Sequence, residues 1–161
     1  MKVMAILIAA ALGYFLGSLN FSIIVFQFMK GKDIRTMGSR NAGLTNAYRC
    51  GGPLCALLTL IGDLGKGIVS VGLATLIARL MQAGLAPDND AHYIGYIAGF
   101  FAIIGHVFPA YYHFRGGKGV LVGVSAFIIL EPKVFLALII VFAVMLAMSK
   151  YVSLSSVVST A

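Results

Sequence analysis

Long apolar runs cut by short polar ones make up the chain. Residues 3–29 carry no charged side chain. At 1.5 Å per residue such a run reaches about 40 Å as a helix, enough to cross a bilayer with tilt. The pattern therefore predicts one continuous first helix. Residues 30–52 are polar, basic and glycine-rich, and read as a loop. A second span is expected at 54–80, interrupted by Asp63 and Lys66. The short acidic stretch QAGLAPDNDAH (82–92) leads to a third span at 93–112, and HFRGGKG (113–119) reads as a tight loop.

Beyond that loop, two apolar runs at 120–130 and 134–148 flank Glu131-Pro132-Lys133. Eleven residues make only about 17 Å of helix, short for a span. One long helix kinked at Pro132 would fit the run. A hairpin fits better, because two charges flank the proline and proline disfavours helix at the residue before it. The expected fold class is all-α: a polytopic integral membrane helical bundle of about five transmembrane helices, plus the start of a further segment. Residues 1–161 read as a single domain, with no clear internal repeat or low-complexity segment.

Composition removes the soluble alternatives. The chain is 60 % hydrophobic and 11 % charged, against about 25 % charged in a soluble domain. The net charge of +7 therefore points to cytoplasmic loops and anionic headgroups or substrates, and no nucleic acid is expected. The first run is too long for a signal-peptide core and lacks a convincing cleavage site, so it reads as a retained span. Cys50 and Cys55 flank a Gly-Gly-Pro turn without metal-ligand spacing and read as small apolar fillers.

Under the hairpin topology, Lys30, Lys32, Arg35, Arg40, Arg49, Arg115, Lys118 and Lys150 share one side. Lys2, Arg79 and Lys133 take the other. That asymmetry places the first group in the cytoplasm and the N-terminus outside.

The polar segments carry candidate chemistry. In GSRNAGLTNAYR (38–49), Gly38 and Gly43 can turn N–H groups toward a common point. Ser39, Asn41, Thr45 and Asn46 can bond an oxyanion or cap a helix. Arg40 and Arg49 supply bidentate charge or merely mark topology. FRGGKG (114–119) follows the glycine-plus-lysine logic of phosphate cradles, with Gly116, Gly117, Lys118 and Gly119. It lacks the hydroxyl that a nucleotide P-loop needs. Asp63 and Lys66 share one helix face in DLGKG. They read either as a structural ion pair or as part of an anion site, with Gly62, Gly65 and Gly67 allowing close helix approach. His106, near the end of the third span, reads as a satisfied hydrogen-bonding residue or a catalyst. His92 and His113 read as interfacial loop residues. No His–Asp pair five apart, metal cluster or Ser/His/Asp set stands out, and neither metal nor cofactor is expected.

Taken in order, these motifs resemble the bacterial acyl-phosphate:glycerol-3-phosphate acyltransferase family (PlsY type). The family's first motif is similar to GSRNAGLTN with Arg49. DLGKG follows, then GHVFPAYYHFRGGKGV (105–120), then SLSSV (153–157). The resemblance covers nearly the whole chain. Arg40 and Leu44 stand where the family more often has small residues, and Leu121-Val122 replaces a common Ala-Thr. The chain stops at Ala161, where the family continues with further hydrophobic sequence, so its C-terminal helices are expected to be absent.

The resemblance implies transfer of a fatty acyl group from acyl-phosphate to the 1-position of sn-glycerol 3-phosphate, yielding lysophosphatidic acid and phosphate. It implies a multi-pass protein of the bacterial inner membrane, with membrane lipid around it and functional coupling to the enzyme that makes acyl-phosphate. Lys118, His106, Lys66 and Asp63 become the candidate catalytic group. Ser39, Asn41, Gly43, Thr45, Asn46, Arg49, Gly116, Gly117, Gly119, Ser153 and Ser156 become candidate substrate-binding residues. His106, Asp63 and the departing phosphate remain alternative proton acceptors. A transporter of a phosphorylated solute, or a non-catalytic lipid-binding subunit, would share the basic loops. A transporter would line a path to both faces, whereas the motifs here gather on one.

Overall fold

The computed structural model describes residues 2–81 and 89–160, apart from the side chains of Asn89, Asp90, Ser153 and Thr160. They form α1 (Lys2–Gly17), α2 (Phe21–Lys30), α3 (Leu44–Met81), α4 (Asn89–Val107), α5 (Val120–Leu130), α6 (Pro132–Ser149) and α7 (Val152–Thr160). Single 3-10 turns lie at Ile34–Thr36 and Ala110–Tyr112. Among the described residues, four stretches are long and apolar enough to cross a membrane: Lys2–Lys30, Leu44–Met81, Ala91–Tyr112 and Pro132–Ser149. The shorter α5 is a fifth apolar helix.

The first span is two helices, not the one that its hydropathy suggests. Hydropathy cannot register the break, because Ser18, Leu19 and Asn20 are uncharged. Ser18 Oγ donates back to Tyr14 O at 2.8 Å. Asn20 caps α2 by accepting the Ile23 N–H, which offers the backbone an alternative to continuing α1. Carbonyls released by the break find a donor in Lys66 Nζ, 2.9 Å from Gly17 O and 2.7 Å from Leu19 O.

Small residues set the packing. Ala5, Ala9, Gly13 and Gly17 recur every fourth position and form the buried stripe of α1. A Cβ on Gly13 would meet the Ala98 carbonyl, and one on Gly17 the Ala102 carbonyl. Contacts between backbones this close are how helices associate in lipid, where no hydrophobic force separates helix from solvent. Indices rise together along this seam, so α1 and α4 run parallel. Along α5 they oppose those of α4: Gly95 faces Leu130, Gly99 faces Ala126, and Ile103 faces Gly119 and Gly123.

α3 reaches further toward the N-terminus than hydropathy indicates. The expected 30–52 loop turns helical at Leu44. Polar Thr45, Asn46 and Arg49 hide a turn that begins when the Gly43 carbonyl accepts the N–H groups of Asn46 and Ala47. At Gly52 the backbone swings out (φ 83°, ψ −176°), and Pro53 starts the second part of the helix. α5 and α6 are divided at Glu131 (φ −143°), with Pro132 at the first helical position. Phe142 of α6 lines the same cavity as Val120 and Leu121 of α5, so α6 folds back as the hairpin reading expects. α6 has no buried residue.

Candidate active site

Two connections meet at one end of the bundle. In the first, Asp33 caps the 3-10 turn and Arg35 follows it. The guanidinium lies against Asp33, with Nη2 2.6 Å from Oδ2. This hydrogen bond holds the Asp33 carboxyl below the usual carboxylate range and raises Arg35. Further along, Gly38 (φ 56°) and Arg40 (φ 59°) are left-handed. Asn46, 1 % exposed, spends its side chain on this loop. Its Oδ1 accepts the Ser39 N–H at 3.0 Å, and its Nδ2 donates to Met37 O at 3.0 Å and Ile34 O at 3.3 Å. The N–H groups of Leu44 and Thr45 lie ahead of the helical ladder, where a helix leaves donors for an anion.

The second connection folds back on the end of α4. Gly116 N–H donates to Val107 O at 3.0 Å and Gly117 N–H to His106 O at 3.1 Å. A Cβ on Gly116 would run into the His106 carbonyl. One on Gly117 would run into the Ala42 carbonyl and His106 Nε2. These two glycines thus permit close approach of three backbones, and their N–H groups are engaged by α4 rather than turned to a ligand. His113 (φ 56°) and Phe114 (φ 57°) are consecutive left-handed residues, each at a cost of about 1–2 kcal/mol for a side chain with a Cβ. Gly119 (φ 78°) then opens α5.

Between the connections lies a cavity of about 330 Å³. Ser39, Asn41, Gly43, Thr45, Asn46 and Arg49 line it from the first motif. Lys118 and Gly119 line it from the second, and Ser156 from α7. Asp63 and His106 are also in its wall. Gly116, Gly117 and Lys66 are not among the lining residues. Ser153 lies on α7, and its side chain is outside the described residues. Arg40 is also absent from the lining. The apolar remainder of the wall is Leu44, Val120, Leu121, Phe142 and Val152.

Behind the cavity sits a buried cluster. Lys66 Nζ is 3.0 Å from Asp63 Oδ1 and 2.8 Å from His106 Nδ1, besides the two carbonyls at the α1–α2 break. An ammonium has donors only, three N–H groups for these four neighbours; with Nδ1 taken as one of the acceptors, the ring hydrogen is assigned to Nε2. Asp63 Oδ1 also accepts the Phe21 N–H at 3.4 Å. Gly62 lets Phe21 in, and Gly67 lets Ser125 in, while a Cβ on Gly65 would meet nothing within 4 Å. His92 sits in α4, 3.4 Å from Glu131. Tyr96 donates to the same carboxylate at 2.9 Å and depresses its pKa. Hydropathy and loop chemistry gave no sign of Arg35 as more than a topology marker. The cue was its spacing from Asp33.

The openings of α3 and α5, together with Arg49 and Lys118, surround one cavity with positive potential. Leu44, Val120, Leu121, Phe142 and Val152 add apolar surface to the same chamber. Such a chamber accommodates an anionic head joined to an aliphatic tail.

Comparison with known proteins agrees. The family described as glycerol-3-phosphate acyltransferase matches residues 7–161. The glycerol-3-phosphate acyltransferase of Clostridioides difficile (strain 630) is 39 % identical over 158 residues, covering 98 % of this chain and 74 % of that protein. Its counterpart in Coxiella burnetii (strain CbuG_Q212) is 38 % identical, covering 97 % and 75 %. The crystal structure of PlsY, an integral membrane glycerol 3-phosphate acyltransferase, in its glycerol 3-phosphate form, superposes with a TM-score of 0.80. It has 29 % identity and covers 96 % of this chain and 72 % of that one. The lysophosphatidic acid form gives 0.75 at 27 % identity, covering 96 % and 71 %. The chain thus spans about three quarters of its relatives' length and belongs to the glycerol-3-phosphate acyltransferase family of integral membrane enzymes.

Proposed function

We propose that the protein moves a fatty acyl group from acyl-phosphate to the 1-hydroxyl of sn-glycerol 3-phosphate, releasing lysophosphatidic acid and inorganic phosphate. The observation that carries this reading is one cavity lined by all three motifs, in which cations and helix N-termini share the lining with apolar side chains. The polar groups can hold two phosphates, and the apolar side chains can receive the start of an acyl chain.

The hydroxyl oxygen attacks the acyl carbonyl. The new C–O ester bond forms, and the bond from the acyl carbon to the phosphate oxygen breaks. Phosphate departs with the electron pair. Acyl-phosphate is already an activated anhydride, so no covalent enzyme intermediate is required. Positioning by Ser39, Asn41, Thr45 and Arg49 supplies on the order of 7–11 kcal/mol when the geometry is good. Asn46 acts one step back, by shaping the loop that presents Ser39. Lys118 stabilises charge that builds on the carbonyl and leaving phosphate. With Nδ1 facing an ammonium, His106 presents a hydrogen rather than a lone pair at Nε2. That favours the departing phosphate as the acceptor of the hydroxyl proton. Lys66 and Asp63 hold His106 and the α1–α2 break in place.

The basic asymmetry of the loops supports a site at the cytoplasmic face of the bacterial inner membrane, with the N-terminus outside. A reactive donor made on that side makes functional coupling to the enzyme that supplies it advantageous.

The test is purified protein with labelled glycerol 3-phosphate and, in parallel, acyl-phosphate, acyl-CoA or acyl carrier protein thioester. Lysophosphatidic acid should form from acyl-phosphate alone. Efficient turnover with either thioester overturns the donor assignment.

A further inference from the structure

We infer that Asp33 and Arg35 are positioning residues, forming a clamp that sets the Lys118 loop against the first-motif loop. Arg35 uses four of the five N–H groups of its guanidinium. Nε lies 3.0 Å from both Asp33 carboxylate oxygens and Nη2 2.6 Å from Oδ2. Nη1 donates across to the other connection, to Tyr112 O at 2.7 Å and Arg115 O at 2.8 Å.

Those two carbonyls bracket His113 and Phe114, the consecutive left-handed residues. Strained backbone of this kind persists only where its surroundings over-determine it. One guanidinium holding the carbonyl on each side of the strained pair is such a surrounding. Three residues after Arg115 comes Lys118. On its other side, the Ile34–Thr36 turn that carries Arg35 is tied to α3, because Ile34 O and Met37 O accept Asn46 Nδ2. The chain of contacts therefore runs from the start of α3, through Asn46, the 3-10 turn and the Arg35 fork, to the turn that leads into Lys118.

A ligand bridging both connections senses their separation. The clamp acts on binding by fixing that separation before substrate arrives. A lysine cannot replace the fork: it has the charge but not the planar geometry that reaches a carboxylate and two carbonyls together. The inference rests on the proposal that both connections serve one phosphate-bearing site.

The experiment is steady-state kinetics and melting temperature for Arg35→Lys, Asp33→Asn and Arg35→Lys/His113→Gly in detergent micelles. Arg35→Lys should lose about 10- to 100-fold in kcat/KM, most of it in KM, because saturating substrate closes the two loops again. Asp33→Asn should move in the same direction and carries the test if Arg35→Lys does not fold. Glycine at 113 relieves half of the strained pair and should return part of the KM. Unchanged KM in either folded single variant, a melting loss without a KM change, or no recovery from His113→Gly would each overturn the clamp. Lys118→Ala, run alongside, separates the two ideas. Full activity there would sink the shared site itself, while an inactive Lys118→Ala beside a normal Arg35→Lys would sink only the clamp.

Discussion

His106 shows what a single residue's surroundings decide. Its place near the end of the third apolar run leaves two roles open, structural or catalytic. The 2.8 Å contact between Nδ1 and Lys66 Nζ supports assigning the ring hydrogen to Nε2. His106→Gln keeps a polar side chain of similar reach, so only a modest loss of kcat is expected in folded protein. Abolished turnover would instead give the imidazole the proton-transfer role. Residue identity made most of the cavity legible: Ser39, Asn41, Thr45, Arg49, Lys118 and Ser156 all line it. What could not be read was how each side chain spends its hydrogen bonds. Asn46 looks like an oxyanion ligand in sequence, yet its amide is saturated by loop backbone. Arg40 stands where the family favours small residues, and its left-handed backbone (φ 59°) gives the physical reason.

At the scale of elements, apolar run length located the spans, and the charges beside Pro132 located the α5–α6 turn. Two breaks escaped. Gly17-Ser18-Leu19-Asn20 is uncharged, so hydropathy runs straight through the point where α1 ends. Leu44–Gly51 is polar enough to pass for loop although it is helix. Glycines that look alike in sequence also have different duties. Gly117 is pressed against backbone from Ala42 and against His106, whereas Gly65 faces open space. Gly117→Ala should therefore cost about 1–3 kcal/mol, since backbone cannot step aside. Gly65→Ala should be neutral or stabilising by about 0.5–1 kcal/mol, because alanine is the better helix former. Denaturation midpoints in matched detergent would compare them. Equal effects would contradict the packing described for the Lys118 loop.

For the whole molecule, the arrangement is a bundle whose cavity-lining motifs are gathered at one end. Parallel α1 and α4 bring the first break and the HVFP turn to the same level, where Ser18 Oγ accepts the Ala110 N–H at 3.3 Å. α3 and α5 open there as well. Single cysteines at positions 39 and 115, both exposed, in a background without Cys50 and Cys55, should resist an impermeant thiol reagent in intact cells and label after lysis. Labelling from outside would invert the topology.

The central claim is that this one chamber binds the phosphates and stabilises the charge of acyl transfer. Its most direct test is kcat for Lys118→Ala with both substrates saturating, on protein shown to be folded by its melting curve. Loss of a cation that faces developing charge in a partly dehydrated site should lower kcat by about 10²–10³, and Lys118→Arg should restore only part of it. Near-normal turnover in folded Lys118→Ala would contradict the account.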